Sequence, residues 1–328
     1  MGFLQNGRWI GQTVGAASAG GEFERPPSVF RNWITADGSA GPTGEAGFRA
    51  EAGRYHLYVS LACPWAHRTL IFRRLKGLEA MIPVSVTHWH LGADGWSFEP
   101  GEGVVPDTIN GKRLLREIYT LADPACSGKV TVPVLWDTRR RTIVSNESAD
   151  IIRMFNSAFD ALGARPGDYY PQALRGEIDG LNERIYATVN NGVYRAGFAT
   201  SQAAYERAVG PLFETLDWLE ARLAGRRYLC GERVTEADWR LFTTLLRFDA
   251  VYVGHFKCNL RRLVDYPALW GYARELYQWP GVRETVDFGH IKRHYYGSHR
   301  QINPSGIVPA GPLLDFGAPH GRSQAGRG

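Results

Sequence analysis

A change of periodicity near residue 165 constrains the fold of this chain more than any other feature. Before it, four strand-like runs and three helical patterns follow the order β-α-β-α-β-β-α. The runs are RYHLYVS (54–60), IPVSVTHW (82–89), TVPVLWD (131–137) and RTIVSN (141–146), and the helical patterns cover 64–78, 114–123 and 147–159. Strands joined by helical crossovers predict an α/β domain.

Strand-like patterns end at Arg165-Pro166-Gly167-Asp168. Helical periodicity replaces them over residues 172–195, 201–224, 236–252 and 267–279. The first of these segments places apolar residues at successive i+4 positions, which predicts one buried face: Leu181, Ile185, Val189 and Val193. The Thr235–Asp238 segment has the S/T-x-x-acid form of a capping box at a helix start. The second domain is therefore predicted to be all-α.

Segments rich in Gly and Pro flank these two domains. Residues 1–50 are predicted to form an irregular N-terminal arm, which lies on the body because aromatic residues are scattered through it. The tail after residue 303 is predicted to be irregular or frayed. The predicted division is an arm at 1–50, an α/β domain at 51–165, an all-α domain at 166–302 and a tail at 303–328.

Charge and cysteine usage exclude several functional classes. The net charge of +5 comes from Arg residues scattered among acids, so no basic face indicates nucleic-acid binding. No apolar run is long enough for a membrane span or a secretory signal. The four Cys are too widely spaced for a disulfide framework or a zinc site, which favours a reducing cytoplasm. The 15 Phe, 15 Tyr and 10 Trp raise the chance of a flat, ring-shaped ligand.

Cys63 is the sharpest candidate for chemistry. It directly follows a predicted strand and precedes Pro64 at a predicted helix start. Unpaired backbone N–H groups and the positive end of the helix dipole favour a thiolate at such a position. The alternative, a buried Cys that acts as a small apolar residue, gives no reason for Cys-Pro at this turn. Because the motif is Cys-Pro-Trp-Ala, no second thiol follows, and a small soluble thiol is the expected partner.

Two other segments carry weaker signals. A cis peptide at Val132-Pro133 would turn the Val132 backbone towards an extended ligand, but the sequence favours an ordinary trans proline opening an edge strand. Ser145-Asn146-Glu147-Ser148 precedes a helix, where Glu147 and Ser148 suit a ligand that has an ammonium group and a carboxylate. Helix capping is the simpler interpretation of that segment.

Together, these motifs resemble the glutathione transferase superfamily. Cys63-Pro64 at the first helix, Val-Pro before a strand, Glu-Ser before the next helix and the Thr235–Asp238 capping motif all fit it. Within the superfamily, the CPWAHR segment (63–68) and the GWSF loop (95–98) are similar to the Xi class, the glutathionyl-hydroquinone reductases. The resemblance implies a thioredoxin-like N-terminal domain followed by an all-helical C-terminal domain, glutathione as co-substrate, and a homodimer.

The resemblance also implies roles for individual residues. Cys63 is the nucleophile, and Tyr194 gives and takes the proton. Glutathione is held by Trp96, Lys129, Val132, Glu147 and Ser148. Tyr252 and Tyr295 line the quinol pocket and influence the thiol, although Tyr296 is adjacent to Tyr295. For each Tyr the alternative is core packing. His67 lies one helical turn after Cys63, on the same face, which is compatible with a catalytic role, but a solvated helix residue explains it at least as well.

The implied reaction reduces a glutathionyl-hydroquinone to the hydroquinone through a Cys63–glutathione mixed disulfide, which a second glutathione resolves. It needs no metal, flavin or nicotinamide. Two alternatives remain at this stage. One is an omega-like thioltransferase or dehydroascorbate reductase, and the other is a non-catalytic module that binds ligands or a protein partner. The remaining cysteines, Cys126, Cys230 and Cys258, are interpreted as packing residues.

Overall fold

The computed structural model describes residues 2–11 and 20–322. Internal contacts divide the chain into two compact units. Among the described residues, the first comprises 2–11, 26–167 and 285–298, and the second comprises 20–25, 168–284 and 299–322. Two segments therefore group with the unit that is not their neighbour in sequence, namely 20–25 and 285–298.

The strands are β1 (Phe3–Gln5), β2 (Arg8–Ile10), β3 (Tyr55–Val59), β4 (Val84–Val86), β5 (Gly128–Lys129), β6 (Val134–Asp137) and β7 (Thr142–Ser145). The α-helices are α1 (Pro64–Leu75), α2 (Leu115–Ala122), α3 (Ser148–Ser157), α4 (Arg175–Ile185), α5 (Gly192–Gly197), α6 (Gln202–Ala224), α7 (Glu236–Arg247), α8 (Pro267–Tyr277) and α9 (Phe288–Ser298). Helix α9 was not predicted from the sequence.

The first unit is built around a four-stranded sheet with the order β4-β3-β6-β7. Strand β3 runs parallel to β4, with Leu57 opposite Val84, and antiparallel to β6, with Leu57 opposite Leu135. All five residues of β3 are buried, as expected for an interior strand. The predicted order β-α-β-α-β-β-α is confirmed for these elements.

The prediction that residues 1–50 are irregular is wrong at the N-terminus. Strands β1 and β2 form a hairpin, and β1 also pairs with β5, which gives a second sheet. The hairpin turns at Asn6-Gly7, with φ of 49° and 74°. Asn-Gly is the preferred two-residue hairpin turn because both positions require positive φ, so this dipeptide is itself a hairpin signal in the sequence.

The rest of the arm lies on the body of the protein, as predicted for its described part. The Asn146 N–H donates to the Phe30 carbonyl at 3.1 Å, and the Asn32 N–H donates to the Val144 carbonyl at 2.9 Å. These bonds extend the edge of the main sheet beyond β7. They satisfy backbone groups that an edge strand would otherwise leave unpaired.

The second unit is helical, as predicted. The face formed by Leu181, Ile185, Val189 and Val193 is buried. Its helix is not continuous, however, because a π-helical turn at Tyr186–Asn190 separates α4 from α5. The capping box is confirmed: Asp238 Oδ2 accepts from the Thr235 N–H at 2.7 Å at the start of α7.

The tail after residue 303 is irregular but not frayed within its described part. Phe316 is buried against the rings of Trp270 and Tyr277, with centroids 4.8 and 5.3 Å apart. Arg322 donates to the carbonyl groups of Arg226 and Arg227 at 2.8 Å each. Side-chain anchors of this kind hold a segment in place without secondary structure. As for membranes, none of the helices in the described residues is long and apolar enough to cross one.

Candidate active site

Cys63 occupies the predicted junction between β3 and α1. It is the N-cap residue of α1, with φ −78° and ψ 123°, and Pro64 opens the helix. The first turn of α1 contains no acidic residue, so nothing there offsets the positive end of the helix dipole. The half-buried thiol lies 3.6 Å from the Val132 carbonyl oxygen and donates to it.

The other three cysteines are free thiols of a different character. Burial raises the pKa of Cys126 and of Cys258, and it raises the pKa of Cys230 to about 11. Cys126 and Cys258 are also enclosed by the core. A raised pKa keeps a thiol neutral near pH 7, and a neutral thiol is a poor nucleophile. Cys63 is therefore the thiol whose position favours reaction.

The Val132-Pro133 peptide is cis, so the interpretation of a trans proline is wrong. The strand that follows is also not an edge strand, because β6 pairs with β3 on one side and β7 on the other. Pro133 lies one residue before β6, where its missing N–H removes no bond from the sheet. The cis peptide lies directly beside Cys63, through the Val132 carbonyl.

Glu147 and Ser148 begin α3. Glu147 is its N-cap residue and accepts from the Ala149 N–H at 3.0 Å, so the segment caps the helix through Glu147 and not through its Ser or Asn. The Ser28 hydroxyl of the arm donates to the second Glu147 oxygen at 3.0 Å. Ser148 is buried, and its hydroxyl accepts from Arg68 at 3.4 Å. Carboxylate and hydroxyl groups thus lie together at a helix N-terminus, an arrangement suited to a ligand with both charges.

Trp96 lies in a loop that α9 holds in place. Its buried indole stacks on the imidazole of His294, with ring centroids 4.9 Å apart and planes at 25°. The Trp89 carbonyl shares a hydrogen bond with His294 Nδ1 at 2.9 Å, and the Leu91 N–H donates to Ser298 Oγ at 2.9 Å. The loop conformation therefore depends on α9.

The opposite side of this loop meets the N-terminal hairpin. Trp9 Nε1 donates to the Ala93 carbonyl at 3.0 Å. Gly95 has φ of 84°, and a Cβ added there would lie 3.0 Å from the Trp9 ring. The same hairpin pairs with β5, in which Lys129 lies opposite Phe3. The positions of the Trp96 loop and of Lys129 therefore depend on a hairpin in the arm, which was predicted to be irregular.

Tyr295 and Tyr296 differ in their surroundings. Tyr295 is buried in α9 and meets His294 edge to face, with centroids 5.2 Å apart. Tyr296 is half-buried. His67 was interpreted as a solvated residue, which is wrong: it is buried and shares a hydrogen bond of 2.8 Å with Thr285 Oγ1. Its imidazole fixes the segment that leads into α9.

Tyr194 and Tyr252 lie in an aromatic cluster of the second unit. Their ring centroids are 6.2 Å apart, and both are buried. Phe256 stacks on Tyr252 at 5.5 Å with planes at 11°. Phe198 and Phe23 extend the stack on the other side of Tyr194. The cluster offers several parallel ring faces, which suits core packing and aromatic ligands alike.

The structure thus brings together Cys63 with Val132, Glu147 with Ser148, and Tyr194 with Tyr252. Sequence reasoning missed four side chains that contact candidate residues: Arg25 contacts Tyr194, Ser28 contacts Glu147, Arg68 contacts Ser148, and His294 contacts Trp96. Their partners are distant in sequence, and only the aromatic residues scattered through the arm gave a signal. Among the described residues, no group of three or more His, Cys, Asp or Glu is arranged to hold a metal ion.

Two family models match parts of the chain, and curated relatives match almost all of it. The glutathione S-transferase N-terminal domain matches residues 62–158, and the C-terminal domain matches residues 202–275. Glutathionyl-hydroquinone reductase YqjG of Escherichia coli (strain K12) is 58% identical over 98% of each chain. Glutathionyl-hydroquinone reductase PcpF of Sphingobium chlorophenolicum is 55% identical over 95% of this chain and 96% of its own.

Solved structures match equally well. Glutathione-bound YqjG superposes with a TM-score of 0.91 at 56% identity, covering 98% of this chain and 99% of that one. An Xi class GST from Natrialba magadii superposes with a TM-score of 0.92 at 48% identity, covering 99% and 98%. These matches confirm the predicted fold, a thioredoxin-like domain followed by a helical domain.

Proposed function

The chain belongs to the glutathione transferase family, and we propose that it reduces glutathionyl-hydroquinones to hydroquinones with glutathione as reductant. Within the family its relatives include Xi-class proteins and named glutathionyl-hydroquinone reductases of nearly equal length. The observation that carries the proposal is the position of Cys63, a half-buried thiol at the N-cap of α1.

Glutathione is assigned to the first unit. Glu147 and Ser148 hold its γ-glutamyl end, because the N-terminus of α3 attracts the carboxylate and the Glu147 carboxylate attracts the ammonium group. The Val132 backbone pairs with its cysteinyl residue, next to the Cys63 thiol. Lys129 binds its glycyl carboxylate, and Trp96 covers the bound tripeptide.

The first chemical step weakens the bond between sulfur and the aromatic ring. An aryl C–S bond resists cleavage while its carbon is sp². Tyr194 gives a proton to that carbon and recovers one from a quinol hydroxyl, so the ring becomes a ketone and the carbon becomes sp³. Tyr252 and Tyr295 are assigned to the quinol, as groups that hydrogen-bond near its ring and sulfur.

The second step forms a disulfide. The Cys63 thiolate attacks the glutathione sulfur, and the electron pair of the C–S bond moves through the ring to the ketone oxygen, which takes a proton from solvent, so the ring regains aromaticity as the hydroquinone. The sulfurs of Cys63 and glutathione are oxidised to a mixed disulfide, and the ring is reduced. A second glutathione thiolate then attacks this disulfide, which releases oxidised glutathione and the Cys63 thiolate. Because the motif contains no second Cys, the resolving thiol comes from solution.

Parallel assays of two substrates test this proposal. Wild type should turn over a glutathionyl-hydroquinone, Cys63→Ser should lose that activity, and Cys230→Ser should keep it as the matched control. Turnover of hydroxyethyl disulfide without any turnover of the glutathionyl-hydroquinone would instead identify an omega-like thioltransferase. Absence of both activities would favour a binding module.

The proposal also includes a homodimer and a cytoplasmic setting. The homodimer is inferred from the class resemblance. The cytoplasmic setting is inferred from the free thiols, which persist in a reducing compartment. Sedimentation at micromolar concentration checks the first, and fractionation of cells checks the second.

A further inference from the structure

We propose that Arg25 is a positioning residue for this reaction, and that it acts through the hydroxyl of Tyr194. The inference rests on the proposed function, since it takes Tyr194 as the group that moves the proton. Arg25 belongs to the N-terminal arm, which was predicted only to lie on the body of the protein.

Arg25 is in direct contact with the Tyr194 ring. Its guanidinium carbon lies 4.9 Å from the ring centroid, which is cation–π distance, and 5.4 Å from the centroid of Phe23. Arg25 Nε also donates to Asn191 Oδ1 at 2.9 Å, just before α5 begins. Asn191 thus holds the guanidinium over the ring of Tyr194, which follows it by less than one helical turn.

The arm segment that carries Arg25 is fixed to the helical unit at several points. The Thr200 N–H donates to the Gly21 carbonyl at 3.0 Å, and the Ser201 hydroxyl donates to the Gly20 carbonyl at 2.9 Å. Glu22 forms a 2.8 Å ion pair with Arg207 of α6. Gly21 has φ of 82°, and a Cβ there would lie 2.8 Å from Ser201 Oγ, so a larger residue would disturb this attachment. The guanidinium is therefore held in place before any ligand binds.

A fixed positive charge beside Tyr194 matters most when Tyr194 gives up its proton. The phenol oxygen then gains negative charge, which a neighbouring cation stabilises in a partly buried site. The interaction is stronger in the transition state than with bound substrate, so it should raise kcat more than it changes KM. Simple packing against the ring would need only an apolar side chain at position 25.

Four variants test the inference: Arg25→Met, Arg25→Lys, Tyr194→Phe and the double variant Arg25→Met/Tyr194→Phe. Tyr194→Phe keeps the ring under the guanidinium and removes only the hydroxyl. With a glutathionyl-hydroquinone, Arg25→Met should lower kcat on the order of tenfold with little change in KM. Arg25→Lys should retain most of the activity because it keeps the charge.

The double variant carries the decisive comparison. In the Tyr194→Phe background, Arg25→Met should cost less than about twofold, because the group it stabilises is gone. The matched control is Arg207→Met, which removes only the exposed ion pair to Glu22 and leaves the hydrogen bonds from Thr200 and Ser201 that hold the arm, so it should keep wild-type kcat. Reduction of hydroxyethyl disulfide, which needs no proton on a ring carbon, should be unaffected by Arg25→Met.

Other results would overturn the inference. An equal loss from Arg25→Met in both backgrounds, or an equal loss in disulfide reduction, would show that Arg25 supports structure and not the Tyr194 hydroxyl. If Arg25→Lys is as slow as Arg25→Met, the charge is not the cause. If Tyr194→Phe alone retains full kcat, the proposed role of Tyr194 has failed, and this inference fails with it.

Discussion

The imidazole of His294 lies almost parallel to the indole of Trp96, with centroids 4.9 Å apart and planes at 25°. His294 also shares a hydrogen bond with the Trp89 carbonyl, so α9 fixes the Trp96 loop both by stacking and through the backbone. If Trp96 covers glutathione, a protein in which this loop is less ordered should bind glutathione more weakly.

His294→Ala should therefore raise KM for glutathione about threefold to tenfold, the effect of losing roughly 1 kcal/mol of aromatic contact, with kcat little changed. His294→Phe keeps a flat ring and should restore most of the affinity. Initial rates at varied glutathione check both variants. Equal KM values in wild type and His294→Ala would show that the stack does not support the glutathione site.

The irregular tail should contribute to stability through Phe316. Its side chain is 3% exposed between Trp270 and Tyr277, whereas Leu313, three residues earlier, is 98% exposed. Phe316→Ala should lower the free energy of unfolding by about 3–5 kcal/mol, while Leu313→Ala should change it by less than about 0.5 kcal/mol. Chemical denaturation of both variants measures the difference, and similar values would show that the tail is not anchored.

Stability should decline on mild acidification because burial lowers the pKa of two histidines, His56 and His255. Each pKa falls to about 4, against an ordinary value of 6.5. A group whose pKa is depressed by folding binds its proton more tightly in the unfolded chain. The free energy of unfolding should therefore be fully retained above pH 6.5 and fall as the pH drops towards 4.

Each of the two histidines contributes a slope of up to about 1.4 kcal/mol per pH unit in that range. His56→Gln should flatten the decline between pH 6.5 and 5, and exposed His90→Gln should leave it as in wild type. The readout is the slope and not the absolute stability, so a destabilised variant still gives an answer. Parallel slopes for wild type and His56→Gln would contradict the assignment.

Features that depend on a few neighbouring residues could be predicted from the sequence. Cys63 lies between a strand and a helix because the apolar pattern on each side of it changes period. The Thr235 capping box was visible because its partner, Asp238, is three residues away. Local pattern of this kind also gave the order of strands and helices in the first unit.

Features that depend on distant partners could not be predicted. Arg25 contacts Tyr194, and Phe316 contacts Trp270, through the fold alone. The cis form of Val132-Pro133 likewise depends on surroundings that its neighbours in sequence do not reveal. His67 looked solvated because its partner, Thr285, lies far along the chain. The Asn6-Gly7 turn is different, since the Asn-Gly dipeptide is a local signal from which the hairpin could have been predicted.

The most direct test of the central claim is the intact mass of the protein after mixing with one equivalent of a glutathionyl-hydroquinone, without free glutathione. The account predicts a gain of one glutathionyl group, mapped to Cys63, together with release of the hydroquinone. Addition of glutathione should then restore the original mass and yield oxidised glutathione. Release of hydroquinone from a protein that never carries the adduct, or an adduct mapped to Cys230, would contradict it.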